Sequence, residues 1–333
     1  AHPVAGSMAR KAIRLNNANL IIANERGVQF NSIARNDIRL KYALGSQIIL
    51  INALIKVIIN EKLVDLKKVE TSTNNFDKLR SLLDKFNIED ASKITGVTQE
   101  AIRNAALLLT KPGNCYIICG KDIEENPLAE DAIRALMNLC ALLNPAYRGD
   151  AGSGKVSLFF SRSHNNSQGV NDVGVVPGFF PGYVNINDAS NKEKIEKSWG
   201  VKFPDAILKK DAENVIDLAL NGKLKALYIM GENLVVNYPN GKKIKEACKK
   251  VDFIVVQDTF LTETAQLADV VLPAATFAEK EGTFTNMGMT VQRLNKAIKP
   301  VGDAKPDWQI ICSLSQKMGH ACSYVSTKEI LTE

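Results

Sequence analysis

The chain has 333 residues and a mass of 36.5 kDa, a length that predicts two domains at roughly 100–200 residues per domain. Hydrophobic residues make up 45% of it and charged residues 23%, which excludes a disordered chain, a collagen-like fibre and a disulfide-rich miniprotein. Its 42 basic and 36 acidic residues leave a net charge of +6. This charge is too small and too scattered for a nucleic-acid-binding surface, so we expect no nucleic acid among the partners.

Strand-like and helix-like segments alternate through the first half of the chain. Gly45 and Ser46 precede a periodic apolar run, for which Ser46 is a candidate N-cap. Thr98 is a second candidate cap, followed by an acidic first turn. The predicted strands cover residues 20–22 and 115–119, and the predicted helices cover 48–59, 76–86, 88–95, 98–109 and 129–143.

Residues 144–187 have a different composition, which is rich in Gly, Ser, Asn and Pro and includes two pairs of adjacent phenylalanines. A loop of this length inside a compact domain is usually functional or disordered, and the aromatic residues argue against disorder. We therefore place the domain boundary in this segment and predict two domains, 1–165 and 166–333.

The second half repeats the alternation of strands and helices. Apolar strands between helices predict an α/β fold with two Rossmann-like domains, whose mostly parallel sheets are covered on both faces. The predicted strands cover 226–230, 253–256 and 270–272, and the predicted helices cover 241–250, 262–267 and 307–318.

Four of the predicted strands end in small or polar residues, where the ligands of parallel sheets bind. Such side chains suit ribose hydroxyls or a purine edge, although any one loop could equally be a turn that satisfies its own backbone. Four such loops together favour a nucleotide-like ligand, even though the sequence has neither a G-x-G-x-x-G fingerprint nor a P-loop. The loops are Asn24-Glu25-Arg26, Gly120-Lys121, Gly231-Glu232-Asn233 and Gln257-Asp258.

Residues for nucleophilic catalysis are few, since the chain has three histidines and no G-x-S-x-G elbow. His164 follows Arg162 and precedes two asparagines in the long loop. A lone loop histidine is more often a hydrogen-bonding residue than a catalyst, but an arginine beside it makes a cluster suited to anions. An arginine can hold a carboxylate by two parallel hydrogen bonds.

The six cysteines are dispersed, and the only close pair has the spacing C-x-x-x-C with no second pair to complete a metal site. We therefore predict buried free thiols and no metal ligands in this chain. No apolar run reaches the roughly 18–20 residues of a membrane span, and no signal peptide begins the chain. We expect a cytoplasmic protein without direct membrane insertion.

Several longer motifs resemble those of molybdopterin oxidoreductases, above all the catalytic subunits of formate dehydrogenases. Residues 165–183 are similar to the active-site segment of that family, and Met230-Gly231-Glu232-Asn233 is similar to its guanine-recognition loop. The second half holds the most specific likeness, in the segments 255–265, 268–273, 281–286, 292–293 and 307–308. The resemblance covers nearly the whole chain.

The resemblance implies a molybdenum or tungsten ion held by two molybdopterin guanine dinucleotides, with one dinucleotide bound by each α/β domain. Arg162 would orient the carboxylate of formate, and His164 would lie beside the active centre. The cofactor-binding residues carried over are Asn24, Glu25, Arg26, Gly45, Ser46, Gly120, Asn165, Gly231, Glu232, Asn233, Gln257, Asp258 and Asp269.

The resemblance also implies a larger subunit, in which an Fe4S4 domain and a cysteine or selenocysteine metal ligand precede residue 1 and a cofactor-capping domain follows Glu333. This chain alone would then be inactive. The implied partners are iron–sulfur subunits and redox subunits linked to flavin, NADH or quinone.

Three positions depart from the family pattern. Asn24 and Asn233 stand where an aspartate is usual, and Gly120-Lys121-Asp122 replaces a Gly-x-Gly turn. An amide loses the charge-assisted hydrogen bonds that a carboxylate makes to guanine, so these changes argue against full cofactor occupancy. The alternative is a non-catalytic structural domain like that of the large iron–sulfur subunit of NADH-quinone oxidoreductases. A free-standing nucleotide-binding module is a third hypothesis.

Overall fold

A computed structural model describes residues 2–27, 37–124, 126–144, 156–162, 164–203 and 212–332. The chain divides into two compact units, Ala1–Ser163 and His164–Glu333. The boundary predicted from the sequence lies two residues later, between residues 165 and 166. Part of the predicted boundary segment, residues 145–155 and 163, lies outside the described residues.

The first unit alternates helices with short strands. Side-chain caps begin several of its helices: the Thr98 hydroxyl accepts a hydrogen bond from the Ala101 amide at 3.2 Å, as predicted, and Asp65 caps α3 in the same way. The elements are α1 (Pro3–Asn16), β1 (Leu20–Asn24), β2 (Asp37–Lys41), α2 (Gln47–Asn60), α3 (Leu66–Ser72), α4 (Phe76–Asp84), α5 (Ile88–Thr95), α6 (Gln99–Leu109), β3 (Cys115–Cys119), α7 (Lys121–Glu124), α8 (Ala129–Leu143) and β4 (Val156–Phe160).

Helix α2 is the centre of the first core because its apolar residues lie all round the helix. Ala53, Ile55 and Ile58 have no solvent exposure, and α5, α6 and α8 pack against the helix. The strands form two parallel pairs, β1 with β2 and β3 with β4. The side chain of Asn144 holds the start of β4 by two hydrogen bonds of 2.9 Å to the Val156 backbone.

The second unit contains a parallel sheet and two small antiparallel pairs. Its elements are α9 (Ser167–Asp172), β5 (Phe179–Phe180), β6 (Val184–Asn185), α10 (Ala189–Trp199), α11 (Ala212–Leu220), β7 (Ala226–Met230), α12 (Leu234–Asn237), α13 (Gly241–Cys248), β8 (Phe253–Asp258), β9 (Val270–Pro273), β10 (Gly282–Thr285), β11 (Val291–Leu294), α14 (Asp307–Lys317) and α15 (Thr327–Thr332).

Strand β8 is the middle strand of the sheet β7-β8-β9, in which both pairings are parallel. Val256 and Ile254 on this strand join residues of α11 and α13 in the second core. The pairs β5–β6 and β10–β11 are antiparallel. The α/β class with mostly parallel sheets is therefore confirmed, with small sheets instead of one continuous sheet per domain.

Two expectations about the fold are wrong in detail. We expected sheets covered on both faces, but Tyr116 and Ile118 on β3 are 63% and 51% exposed, because the described helices pack on the opposite face of that strand. We also expected a helix over 262–267, where a 3₁₀ helix covers only Ala265–Leu267. No helix in the described part of the chain is both long and apolar enough to span a membrane.

Candidate functional site

In the first unit, the loop after β1 meets the loop before α2. The Asn24 carboxamide accepts a hydrogen bond from the Arg26 amide at 2.8 Å, which forms an Asx turn. The Glu25 carboxylate accepts a hydrogen bond from the Gly45 amide at 3.4 Å. Gly45 has φ +81° and open space where a Cβ would lie, so its backbone can approach a ligand closely. The structure therefore brings the predicted loop Asn24-Glu25-Arg26 to Gly45, a residue chosen from a separate segment of the sequence.

Ser46 and Gln47, which begin α2, differ from what the sequence predicts. Ser46 is buried, but its hydroxyl donates to the Ala43 carbonyl at 2.6 Å and does not cap the helix. Gln47 is 2% exposed, and neither amide atom of its side chain has a hydrogen-bond partner among the described residues. An unpartnered buried amide costs about 1–3 kcal/mol. Gln47 is thus a candidate ligand-binding residue that the sequence analysis missed.

Arg162 follows the carboxyl end of β4. Next to it, Ser161 is buried and donates from both its amide and its hydroxyl to the Cys119 carbonyl, at 2.8 and 3.0 Å. The Nε atom of Arg162 lies 3.4 Å from the carboxylate of Glu124 in α7, and both side chains are half-buried. Gly120 beside β3 has open space around it. The sequence pointed to Arg162 but not to its acidic partner.

His164 and the asparagines after it begin the second unit. His164 and Asn165 are exposed, and the His164 carbonyl accepts hydrogen bonds from the Ser167 amide and hydroxyl at 3.3 and 3.0 Å. Asn166 has a structural role, since its carboxamide oxygen accepts a hydrogen bond from the Thr285 amide at 2.9 Å. This bond ties the start of α9 to β10.

The loop after β7 is held by side chains from the loop after β8. Asn233 accepts hydrogen bonds from the Thr264 amide at 3.3 Å and hydroxyl at 2.8 Å, and it donates to the Glu263 carboxylate at 2.7 Å. The bond from Asn233 is the main cause of a lowered pKa of the Glu263 carboxyl. Glu232 accepts a hydrogen bond from Asn237 at 2.7 Å. The side-chain oxygen and nitrogen of Asn233 are therefore both hydrogen-bonded to other residues of the protein.

Gln257 lies at the end of β8 with no solvent exposure. Its carboxamide oxygen accepts a hydrogen bond from the Tyr228 hydroxyl, and its nitrogen donates to Asp307 at 2.7 Å. Lys280 forms an ion pair with the same Asp307 carboxylate. Burial, together with the charge of Asp307, raises the pKa of Tyr228. Gln257 is thus the buried member of a network that links β7, β8 and α14.

The backbone beside Gln257 remains open to a ligand. The Gly231 amide donates to the Gln257 carbonyl at 2.8 Å, and Gly231 has φ +63° with open space where a Cβ would lie. Asp258 forms an Asx turn, with its carboxylate accepting from the amides of Thr259 and Phe260 at 2.6 and 3.2 Å. These residues lie at the carboxyl edge of the sheet, as predicted from the sequence.

The structure does not place Asp269 with these residues. Asp269 precedes β9, where its carboxylate accepts a hydrogen bond from the Ile254 amide at 2.7 Å and its amide donates to the Ile254 carbonyl at 2.9 Å. Ile254 lies near the start of β8, so Asp269 is at the amino edge, about 10 Å along the strand from Gln257 at roughly 3.3 Å per residue. Its contacts pair two strands.

A cavity of about 920 Å³ within the second unit was not predicted as such, although part of its wall comes from the segments 165–183, 281–286 and 292–293 that carry the family resemblance. Its wall combines two aromatic side chains with charges of both signs. The lining residues are Asp172, Val173, Pro181, Ser198, Trp199, Glu281, Gly282, Thr283, Arg293, Ala321, Tyr324, Thr327, Lys328, Ile330 and Leu331. Within the ranges that the structure describes, no group of three or more His, Cys, Asp or Glu side chains is placed to hold a metal ion.

Comparison with known proteins identifies the class to which this fold and these loops belong. The model of the family described as "Molybdopterin oxidoreductase" matches residues 1–317, and the chain therefore belongs to the molybdopterin oxidoreductase family. The resemblance noted from the motifs is confirmed.

Two curated relatives match the chain over its whole length. It is 37% identical to the F420-dependent formate dehydrogenase subunit alpha of Methanocaldococcus jannaschii, of which it covers 48%. It is 34% identical to formate dehydrogenase H of Escherichia coli, of which it covers 45%. The chain thus spans about half the length of these relatives.

A solved structure with a similar fold is acetylene hydratase from Pelobacter acetylenicus. The alignment has a TM-score of 0.69 and 23% sequence identity, and it covers 95% of this chain and 45% of the other. At this level of identity the likeness concerns the fold, which can carry different chemistries.

Proposed function

We propose that this chain is the cofactor-binding core of a formate dehydrogenase-like subunit, which in the full protein oxidises formate at a molybdenum or tungsten centre held by two molybdopterin guanine dinucleotides. The observation that carries the proposal is the half-buried Arg162–Glu124 pair at the end of β4. The 37% and 34% identity to formate dehydrogenases over the whole chain supports the choice of substrate.

The residues of the first unit fit a dinucleotide tail. Gln47 brings a buried amide without a partner, and Gly45 and Gly120 leave open space for close approach. The Glu25 carboxylate, beside Gly45, suits the hydroxyls of a ribose. When bound, such a cofactor supplies a metal centre that accepts the two electrons of formate oxidation. Hydrogen bonds to backbone atoms shape this pair of loops. They are made between Asn24 and Arg26 and by the Ser46 hydroxyl.

In this proposal Arg162 binds and orients the substrate. Its Nε faces Glu124 at 3.4 Å, and we assign the two terminal nitrogens of the guanidinium to the formate carboxylate. Glu124 then acts as a positioning residue, because it limits the rotation of the guanidinium. Holding a small substrate in one orientation lowers the entropic part of the barrier.

The test uses the full-length subunit with its natural redox partners. Each hydrogen bond to a charged group contributes about 1.5–3 kcal/mol, and lysine cannot reproduce the planar fork of arginine. We therefore expect Arg162→Lys to lower kcat/KM for formate about ten- to hundredfold. Arg134→Lys is the matched control, since Arg134 pairs with Glu130 on an exposed helix face. Equal activity of the two variants would remove Arg162 from the mechanism.

The internal hydrogen bonds of the second unit favour one alternative, a non-catalytic structural domain like that of NADH-quinone oxidoreductases. The amides of Asn233 and Gln257, which the resemblance assigns to the cofactor, are both engaged in internal hydrogen bonds. Metal and pterin analysis of the purified full-length subunit separates the two functions. A stoichiometric metal and two pterins support the enzyme, and their absence supports the structural domain.

In either case we propose iron–sulfur subunits and redox subunits linked to flavin, NADH or quinone as the partners.

A further inference from the structure

The segment that follows α14 folds back along this helix. The helix ends at Lys317, and the chain reverses at Gly319, where φ is +87°. The His320 amide then donates to the Ser315 carbonyl at 3.0 Å, and the Gln316 side chain donates to the Cys322 carbonyl at 2.6 Å. We call residues 319–325 the fold-back segment.

The reversal brings two cysteine sulfur atoms together. The Cys322 thiol donates to the Cys312 sulfur, and the two atoms are 2.9 Å apart. Cys312 is 8% exposed, whereas Cys322 is half-buried. The Tyr324 backbone also makes a hydrogen bond to the Cys312 sulfur. The hydrogen bonds made by the His320 amide, the Gln316 side chain and the Tyr324 backbone hold the two sulfur atoms together without a covalent link.

We propose that Cys312 and Cys322 are a thiol–disulfide site, which a low-molecular-weight disulfide such as oxidised glutathione converts to a disulfide that fastens the fold-back segment to α14. The proposal concerns a modification of this chain and does not depend on its reaction or its cofactor.

The exchange takes two steps. The Cys322 thiolate, which solvent reaches more easily, attacks one sulfur of the external disulfide; a mixed disulfide forms and the first small thiolate leaves. The Cys312 sulfur then attacks the Cys322 sulfur, which forms the Cys312–Cys322 bond and expels the second thiolate. The two cysteines lose two electrons and two protons, and the external disulfide gains the electrons and ends as two thiols.

Burial is the main cause that raises the pKa of the Cys312 thiol to about 11. Attack requires the thiolate, so the closing step is slow near neutral pH and becomes faster as the pH rises. The other cysteines serve as internal controls, because no sulfur–sulfur hydrogen bond joins them in the described part of the chain and burial raises the pKa of each. They are Cys115, Cys119, Cys140 and Cys248.

Oxidation has a structural consequence at the cavity of the second unit. Ala321 and Tyr324 of the fold-back segment form part of its wall, and Thr327 and Lys328 follow in sequence. Because a disulfide between residues 312 and 322 closes a short loop, it suppresses local unfolding of this wall. The reduced chain keeps only hydrogen bonds there.

The experiment incubates the folded chain with oxidised glutathione, blocks the remaining thiols by alkylation and digests the protein with trypsin. Cleavage after Lys317 separates Cys312 from Cys322, so a disulfide appears in the mass spectrum as two joined peptides that separate on reduction. We expect this link with the other four cysteines still alkylated. Glutathione that remains on Cys322 without the link at alkaline pH, or a cross-link that forms as readily at Cys119 and Cys140, would overturn the proposal.

Two variants complete the test. Cys322→Ser should abolish the link and leave Cys312 free of glutathione, whereas Cys140→Ser should leave the link unchanged. Amide hydrogen exchange in residues 320–324 should slow by on the order of tenfold or more on oxidation of the natural chain, and it should not change in Cys322→Ser. Equal exchange in the oxidised and reduced natural chain would contradict the fastening of the fold-back segment.

Discussion

At the scale of single residues, the candidate sites of the two units differ in how their polar groups are used. Gln47 is buried without a hydrogen-bond partner among the described residues, whereas Gln257 is buried with both amide atoms bonded. A protein retains an unpartnered buried amide at a cost to its stability, and such costs concentrate at functional sites. This contrast is why we assign Gln47 to a ligand and Gln257 to the structure.

Replacement of Gln47 by methionine tests this assignment. The side chain keeps a similar volume but loses the unpartnered amide, so we expect the ligand-free chain to gain about 1–3 kcal/mol in its free energy of unfolding. Gln99→Met is the matched control, because Gln99 is also the first residue of a helix but is exposed. The control should change stability by less than about 0.5 kcal/mol. Urea unfolding followed by far-UV circular dichroism measures both, and a Gln47→Met variant less stable than the control would mean that the amide has a partner.

At the scale of elements, the turn between α9 and β6 depends on glycines for two different reasons. Gly174 has φ +78°, and a Cβ there would lie 2.5 Å from the Phe180 carbonyl carbon. Gly182 has φ +75°, but a Cβ there would meet nothing within 4 Å. Both positions therefore have the left-handed backbone that favours glycine. Only at Gly174 would a side chain also collide with neighbouring backbone atoms.

The two alanine variants separate these effects. Gly182→Ala adds only the strain of a left-handed residue, for which we expect a loss of about 1–2 kcal/mol. Gly174→Ala adds a collision with backbone, so its loss should be greater by at least about 2 kcal/mol. Trp199 packs edge-to-face on Phe180 at 6.3 Å. Its fluorescence reports unfolding of this region when both variants are made in a Trp308→Phe background, because the chain has two tryptophans. Similar losses of unfolding free energy in the two variants would show that Gly174 does not lie this close to the Phe180 backbone.

At the scale of the whole molecule, each unit has its own apolar core, and the thiols in the first core make stability depend on pH. Burial, with smaller effects of Cys140 and Glu124, raises the pKa of Cys119 to about 12 from an ordinary 9.0. A thiol whose pKa is higher in the folded chain stabilises the fold fully below the unfolded pKa. That stabilisation is lost as the pH rises from 9.0 towards 12.

Alkaline conditions should therefore weaken the first unit. At one pH unit above the unfolded pKa, the loss attributable to Cys119 should be about 1.4 kcal/mol. Cys119→Ala should flatten the stability profile between about pH 9 and 11, even though the variant is less stable than the natural chain at pH 7. Unfolding free energies at several pH values measure this slope. If the natural chain and the variant kept parallel profiles, Cys119 would not be the titrating group.

The sequence by itself determined the family, the α/β class, most helices and the strand-end loops, because these depend on local patterns of apolar residues, caps and breakers. Thr98 shows the success of such reasoning, since the N-cap lies within one helical turn of its partner. The local pattern did not predict the role of Ser46. Its hydroxyl donates to the carbonyl of Ala43, three residues earlier, instead of capping α2.

Only the tertiary structure decided which polar groups are free for a ligand. Asn233 bonds to Thr264, 31 residues further along the chain, and Gln257 bonds to Asp307, 50 residues away. Asp269 looked like its neighbours in the sequence, but strand pairing put it at the other edge of the sheet. Contacts of such separation arise from the packing of whole elements, and the burial that leaves Gln47 without a partner exists only after α2 has packed into its core.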